Sequence, residues 1–279
     1  MPDITRQDAE RLVESIGIPP RPAVVLTVMD EKSKDEPDFG LIADSIARDV
    51  AIAAALLKTI NSPFFSLPRK IQSIPQAVSL LGLKRLAMLV NSLALKTSVN
   101  AQGVERFWDQ SSRTALLCTW LAGKMGIDRD AAHLFGLFRD AGIPLLMKKF
   151  PDYRDTLRLA NAPDSPGFTV VEDQRHSVNH AVVGSILARN WKLSDVLHEA
   201  IARHHDVAMF SDPQIGHEAK ALVAVAHIAG QLECRHSRNQ DDSEWRHFQN
   251  AVQVWLMVSE QDFADLSAEA GSLLLESGL

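Results

Sequence analysis

Four side chains with metal-binding chemistry lie far apart in the second half of the sequence: Asp140, His180, His204 and His205. Imidazole nitrogens and carboxylate oxygens bind divalent cations, and three or four of them are enough for one ion. His180 is expected to start one helix and His204 to end another, so the two rings could face each other. A histidine pair at a helix C-terminus is, however, also favoured simply by the helix dipole.

Arg139 comes directly before Asp140 and argues against a metal at that carboxylate. A guanidinium is always cationic and offers no lone pair, so it cannot bind a metal and would repel one. It is expected to hold Asp140 in a bidentate ion pair, because a lone buried charge is costly. The preferred interpretation is a neutralised carboxylate, with no cofactor and at most weak or adventitious divalent metal at these four residues.

Helical periodicity dominates the chain and predicts an all-α fold. Apolar residues recur three and four apart, strand alternation is missing, and Asp38 and Asp49 stand where they could cap helices. Asn61 stands before Pro63 and could end a helix in the left-handed conformation. A loop is expected at 162–169. The predicted helices lie at about 5–16, 22–31, 39–48, 50–60, 74–81, 83–99, 105–125, 130–150, 152–160, 177–191, 194–205, 217–235, 244–257 and 260–275.

Composition limits the function classes. The chain has 279 residues, 46% hydrophobic and 23% charged, with a formal net charge of −6. There is no general basic field, so nucleic-acid binding is not expected. No signal peptide and no run of about 18 apolar residues is visible, which predicts a cytoplasmic protein that does not span a membrane. The two cysteines are expected to be reduced thiols in the core.

An ordered set of segments resembles the HDOD family, a group related to the HD metal-dependent phosphohydrolases. The set includes Ile-Pro-Pro at 18–20, and Gly-Leu-Phe-Arg-Asp-Ala-Gly at 136–142. The order and spacing hold over roughly residues 15–232. A departure is Val50, where the family often has proline. The other matching segments are 46–49, 56–62, 71–78, 80–83, 107–108, 180–184 and 204–206.

The resemblance implies a two-lobed helical bundle with a degenerate HD-type domain in the C-terminal half. The expected divisions are an N-terminal lobe at 1–103, an HD-like lobe at 104–236 and an extension at 237–279 that packs on the module. HD enzymes bind metal through an early His, a His-Asp dyad and a late Asp. The resemblance places these ligands at Gln110 or Ser111, at Arg139 with Asp140, and at Gly230. Only Asp140 keeps its ligand type.

The resemblance therefore implies bacterial signalling by a pseudoenzyme that contacts a partner protein. Two alternatives remain open: a phosphohydrolase of nucleotides or cyclic dinucleotides with an altered mononuclear site, and a nucleotide or anion sensor that uses Arg139 in the remnant cleft. Phe64, Phe65 and Leu67 in a loop are candidate partner contacts, although such aromatics more often tuck into the core. The apolar final helices could cover the lobe interface or form a homodimer.

Overall fold

The architecture described here is that of a computed structural model covering residues 14–61, 67, 69–99, 101 and 103–277. Regular structure in these described ranges is helical throughout, without a strand. The all-α prediction is therefore confirmed. The chain forms two compact units: Pro20–Asn100 with Leu273–Leu279, and Met1–Pro19 with Ala101–Ser272. The three-part division expected from the sequence stays a prediction.

Among the described residues, the smaller unit contains four whole helices, α1 to α4. Asp38 and Asp49 cap α2 and α3 as predicted, because their carboxylates accept hydrogen bonds from the backbone amides of Leu41 and Ile52. Apolar side chains on one face of each helix, such as Ile46, form the buried core. The helices are Ala23–Lys32 (α1), Phe39–Arg48 (α2), Val50–Ile60 (α3) and Ile74–Ser98 (α4).

Asn61 ends α3 by a different device from the one predicted. Its φ of −83° is not left-handed, so the predicted cap conformation is wrong. Its side-chain amide instead donates to the carbonyl of Ile71, and its side-chain oxygen accepts from the amide of Ile71, both at 2.8 Å. This pair of bonds ties the end of α3 to the segment before α4, an outcome that short-range sequence patterns do not contain.

The helix α4 is kinked at Gly82, whose φ of 67° is non-helical, so the predicted break at this glycine is confirmed. By length and composition, α4 is apolar enough to cross a membrane, yet 56% of its most apolar window is buried in the fold. Such a buried window also fits a core helix. The expectation of a cytoplasmic protein stays a prediction.

The larger unit holds the remaining helices and the candidate site. Its core contains the fully buried rings of Phe135, Phe138, Tyr153 and Trp191. The helices are Glu105–Met125 (α5), Arg129–Phe138 (α6), Gly142–Lys149 (α7), Tyr153–Ala160 (α8), Phe168–His176 (α9), His180–Asn190 (α10), Asp195–Arg203 (α11), His217–Arg238 (α12), Trp245–Leu256 (α13) and Glu260–Ser277 (α14), with a 3₁₀ turn at Val207–Ser211. The last residues of α14 belong to the smaller unit.

Two predicted elements of this unit were wrong. The single helix expected over 130–150 is interrupted between α6 and α7, so Asp140 lies in a turn. The close approach of α10 at the start of α7 accompanies the break, since a Cβ on Gly142 would lie 2.2 Å from the carbonyl oxygen of His180. The loop expected up to residue 169 ends earlier, and α9 fills the interval before α10.

The helix α12 runs through the middle of this unit. It packs against α5, α6, α11 and α13, and residues 219 and 221–234 are all buried. A helix that is buried nearly all round needs partners on every side. Residue 230, where a late ligand was sought, consequently faces other protein groups rather than solvent.

A candidate metal centre beside a buried arginine

The four predicted donors converge. The ligand atoms of Asp140, His180, His204 and His205 all lie within 4.8 Å of one another. The turn after α6 supplies Asp140, the first residue of α10 is His180, and His204 caps the C-terminus of α11 with His205 next to it. The sequence prediction that His180 starts a helix and His204 ends one is confirmed, and their rings meet in an edge-on contact with centroids 5.3 Å apart.

The distances among these donors suit a single ion. Nε2 of His180 lies 3.4 Å from Oδ1 of Asp140 and 3.3 Å from Nε2 of His204. Nε2 of His204 lies 3.3 Å from the same Oδ1, and Nε2 of His205 lies 2.9 Å from Nε2 of His180. Four donors around an ion at bond lengths of 2.0–2.1 Å stand about 3.3 Å apart in a tetrahedron. These four spacings are close to that value, and the other two pairs of donors lie within 4.8 Å.

Each histidine has an oxygen close to its other nitrogen, and for His180 and His204 that oxygen accepts a hydrogen bond. Nδ1 of His180 lies 2.7 Å from Glu172 Oε2, and Nδ1 of His204 lies 2.7 Å from the carbonyl oxygen of Ile201. Nδ1 of His205 lies 2.5 Å from Glu244 Oε2, at an angle that is not that of a hydrogen bond. Outward Nδ1 acceptors are what hold metal-binding histidines in the tautomer whose Nε2 lone pair points inward.

The charges of the cluster are strongly coupled. Burial alone would lower the pKa of His180, but the charge of Glu172 and the hydrogen bonds with Asp140 and Glu172 raise that pKa to about 10. Burial lowers the pKa of His204 to about 4 and that of His205 to about 3. At neutral pH and without a metal, His180 is therefore an imidazolium, whereas His204 and His205 are neutral.

The acidic groups divide into two classes. Burial would raise the pKa of Asp140, but the Arg139 guanidinium and the hydrogen bond from His180 hold it well below its ordinary value. Burial raises the pKa of Glu244, only partly offset by the histidines nearby. Asp140 is thus an anion throughout the neutral range, whereas burial disfavours the charged form of Glu244.

Arg139 lies beside the cluster, but the predicted bidentate pair was wrong. Its Nε donates to Oδ2 of Asp140 at 3.1 Å, while its Nη1 donates to the carbonyl of Ala226 at 3.2 Å. The second contact pulls the guanidinium toward α12. Oδ1 of Asp140 consequently remains directed at His180 and His204.

The guanidinium of Arg139 also explains why residue 230 is a glycine. A Cβ on Gly230 would lie 3.3 Å from Nη2 of Arg139, so the arginine fills the space in front of the glycine. The two changes fit each other: the long cation replaces one expected ligand and lies where the other would project. Gln110 accepts a hydrogen bond from Arg238, and the hydroxyl of Ser111 donates to the carbonyl of Phe107.

A cavity of about 840 Å³ opens onto this cluster. Asp140, His204 and His205 line it, but His180 is fully buried behind them. Thr114 also lines the cavity, and its buried hydroxyl has no hydrogen-bond partner. The further predicted residues along the cavity wall are Gln110, Ser111, Arg139 and Gly230.

Glu172 and Glu244 were missed by the sequence reasoning. Glu172 lies on α9, the helix that follows the Pro/Gly/Ser-rich segment. Its position eight residues before His180 was the sequence feature that could have identified it. Glu244 gives no local signal, because it reaches His205 from 39 positions along the chain. Of the predicted partner contacts, Phe64 and Phe65 lie outside the described residues and Leu67 is half-buried.

Comparison with known proteins assigns this chain to a family. The HDOD domain matches residues 18–207, which is more than half of the chain. The chain belongs to the HDOD family. It is therefore a domain of signal-transduction type that is related to the HD phosphohydrolases, as the sequence resemblance indicated.

Two relatives with similar sequences are longer than this chain. An uncharacterized protein of Treponema pallidum is 27% identical over 219 residues, which are 76% of this chain and 41% of that protein. A protein of Vibrio cholerae named cyclic di-GMP phosphodiesterase CdgJ is 24% identical over 157 residues, 53% of this chain and 36% of that protein. The chain spans less than half the length of either relative.

Two solved HDOD-like structures share the fold. A candidate phosphohydrolase of Shewanella amazonensis superposes with a TM-score of 0.73 at 20% identity, covering 95% of both chains. An HDOD domain protein with unknown function from Geobacter sulfurreducens superposes with a TM-score of 0.69 at 22% identity, covering 97% of both. At these identities the likeness establishes the fold alone.

The metal implied by the relation to HD enzymes fits part of this HDOD site. Three imidazoles and one carboxylate, with acceptors behind the imidazoles, can hold one divalent ion. The positions of Arg139 and Gly230 offer no donors, and the guanidinium places a fixed cation there. The residues present therefore fit one ion and not a second.

Proposed function

We propose that this chain is a non-catalytic HDOD regulatory module that acts by binding a partner protein, and that its cluster holds a single divalent ion and no second one. The proposal is supported above all by the position of the Arg139 guanidinium, which fills the space in front of Gly230. The arginine replaces donors on the side of the cluster where an HD enzyme is expected to complete its site.

The chemistry of that side supports regulation over hydrolysis. A divalent ion in a phosphohydrolase lowers the pKa of a bound water and polarises the phosphoryl group. In this chain the fixed charge of Arg139 lies 3.1 Å from Oδ2 of Asp140, and it would oppose a second cation at the same carboxylate. What the chain's own residues do is hold the four donors and keep Asp140 ionised.

The partner is expected to be a protein. The net charge of −6 gives no general attraction for nucleic acid. Besides the proposed contacts at Phe64, Phe65 and Leu67, a separate candidate contact lies on α13 and its cap, where Val254 is 70% and Met257 88% exposed. Exposed apolar side chains in a group are common at interaction sites.

The proposal is tested by turnover. Tag-free protein loaded with Zn²⁺ or Mn²⁺ is assayed with nucleotides, cyclic dinucleotides and a chromogenic phosphodiester. We expect no metal-dependent turnover above that of the Asp140→Ala variant. Turnover that is present in the wild type and lost in both Asp140→Ala and His180→Ala would overturn the non-catalytic assignment.

A mononuclear phosphohydrolase is the second candidate, and the convergence of the four donors favours it. When bound, a single ion could supply Lewis-acid chemistry to a phosphoester in the adjoining cavity. The same assay separates the two candidates, because both accept one bound ion and only this one requires turnover. A nucleotide or anion sensor has less support, since Asp140, Asp241, Asp242 and Glu244 also line the cavity.

A further inference from the structure

Glu244 belongs to a short segment that joins α12 to α13 and lies beyond the matched HDOD residues 18–207. Its carboxylate is the group against Nδ1 of His205, with a separation of 2.5 Å. The side chains of both residues are largely buried, at 18% exposure for Glu244 and 10% for His205. An element outside the family match therefore reaches the candidate metal centre.

The segment is fixed on both sides of Glu244. Before it, Gln231 donates to the carboxylate of Asp241 and accepts from the backbone amide of Asp242. After it, the guanidinium of Arg246 donates to the carbonyl of Pro163. These contacts hold the backbone in place, so the approach of the carboxylate to His205 does not depend on a freely moving loop.

Glu244 does not serve its own helix in the usual way. It is the N-cap residue of α13, yet its side chain makes no capping hydrogen bond. Its backbone amide is bound by the carboxylate of Asp242, 3.0 Å away. Side chains at N-caps commonly bind the free amides of the first turn. Here the carboxylate is turned toward the histidine instead.

An acceptor in this position has a definite chemical effect. A carboxylate at Nδ1 favours the tautomer that carries the proton there, which leaves the Nε2 lone pair for a metal, and it increases the basicity of the ring. Glu172 does the same for His180, and the carbonyl of Ile201 does so for His204. Glu244 places a carboxylate oxygen 2.5 Å from Nδ1 of His205, not at a hydrogen-bond angle, so each of the three imidazoles has an oxygen close behind it.

We propose that Glu244 is a positioning residue for divalent-metal binding, which orients His205 and so makes the C-terminal segment part of the site. The inference rests on the single-ion binding proposed above. It also predicts linkage in the other direction: a bound ion draws Nδ1–H of His205 toward Glu244 and stabilises residues 239–256.

The test compares Zn²⁺ affinity among tag-free variants, by competition with a chromogenic chelator. Removing an outer acceptor typically weakens metal affinity 10–100-fold, so Glu244→Ala is expected to show a loss in that range. Glu244→Gln, which keeps an acceptor oxygen without the charge, is expected to retain part of the affinity. Asp241→Asn is the matched control in the same segment, because Asp241 bonds Gln231 and Arg235 and no histidine of the cluster.

A purely structural role for Glu244 would leave Zn²⁺ affinity unchanged while lowering the melting temperature of the metal-free protein. Equal affinity in the wild type and both Glu244 variants would overturn this inference and leave single-ion binding intact. Absence of Zn²⁺ binding by the wild type would overturn both. As a second readout, hydrogen exchange in residues 239–256 should slow on Zn²⁺ addition in the wild type and not in Glu244→Ala.

Discussion

The guanidinium of Arg139 lies directly in front of Gly230, where a Cβ would come within 3.3 Å of its Nη2 atom. The arginine is anchored there by two bonds of different origin, one to the carboxylate of Asp140 and one to the carbonyl of Ala226 on α12. The pair accounts for the departures from the HD ligand pattern at positions 139 and 230 with a single arrangement. A long cation needs room, and a glycine on a buried helix provides it.

Removing the cation should strengthen metal binding at the neighbouring donors. Arg139→Met keeps much of the side-chain volume but withdraws the charge beside Asp140. Because like charges a few ångströms apart repel even in a high dielectric, the Zn²⁺ affinity of Arg139→Met is expected to rise by about tenfold or more. Competition with a chelator measures this affinity. The control is Arg113→Met, which removes a cation that pairs with Glu233. Unchanged or weaker binding would show that Arg139 does not oppose the ion.

Two glycine-to-alanine substitutions in the same unit should differ sharply. At Gly142 the new Cβ would lie 2.2 Å from the carbonyl oxygen of His180, so backbone must move, and overpacking of this kind destabilises by about 1–3 kcal/mol or more. At Gly230 the nearest atom belongs to a side-chain end, and alanine gains up to about 1 kcal/mol of helix propensity. Urea unfolding should therefore show a large loss for Gly142→Ala and a change within about 1 kcal/mol for Gly230→Ala. Equal effects would contradict the described packing.

Stability should fall in mild acid. Burial lowers the pKa of His227 to about 3, and its ring is stacked on Phe248 with Nε2 bonded to the carbonyl of His204. Between the folded pKa and the ordinary value of about 6.5, the unfolded chain binds the extra proton, so stability is lost as pH falls from about 6.5 toward 3. Each such histidine contributes a slope of about 1.4 kcal/mol per pH unit inside this window.

The histidines of the cluster change stability with pH in opposite directions. The lowered pKa values of His204 and His205 act in the same direction as that of His227. His180, with a pKa raised to about 10, has the opposite effect: its contribution is complete below pH 6.5 and is lost as pH rises toward 10. Urea titrations from pH 4.5 to 7 should give a shallower slope for His227→Gln than for the wild type. Parallel curves would mean that His227 is not held neutral.

The sequence predicted the helices better than their breaks. Periodicity and capping residues located most elements, including the caps at Asp38 and Asp49. The break after α6 accompanies the close approach of the Gly142 backbone to that of His180, which is a tertiary contact and leaves no trace in local pattern. For the same reason the sequence could name Asp140 and the three histidines but not their mutual distances.

The outer residues of the site show the same limit. Glu172 could have been found, because an acid eight residues before a helix-starting histidine can reach it once α9 is recognised. Glu244 could not, since its contact with His205 depends on the path of the segment after α12. The sequence argument against a metal considered only the missing ligands. The acceptors behind the remaining ones became visible in three dimensions.

Metal stoichiometry tests the account most directly. Tag-free protein is loaded with Zn²⁺, desalted and analysed by mass spectrometry, with Asp140→Ala prepared in parallel. The account predicts no more than one ion per chain, bound by Asp140 and the three histidines and lost in the variant. Two ions per chain would contradict the role of Arg139 as the cation that excludes a second metal. No ion in folded wild-type protein would contradict the metal centre itself.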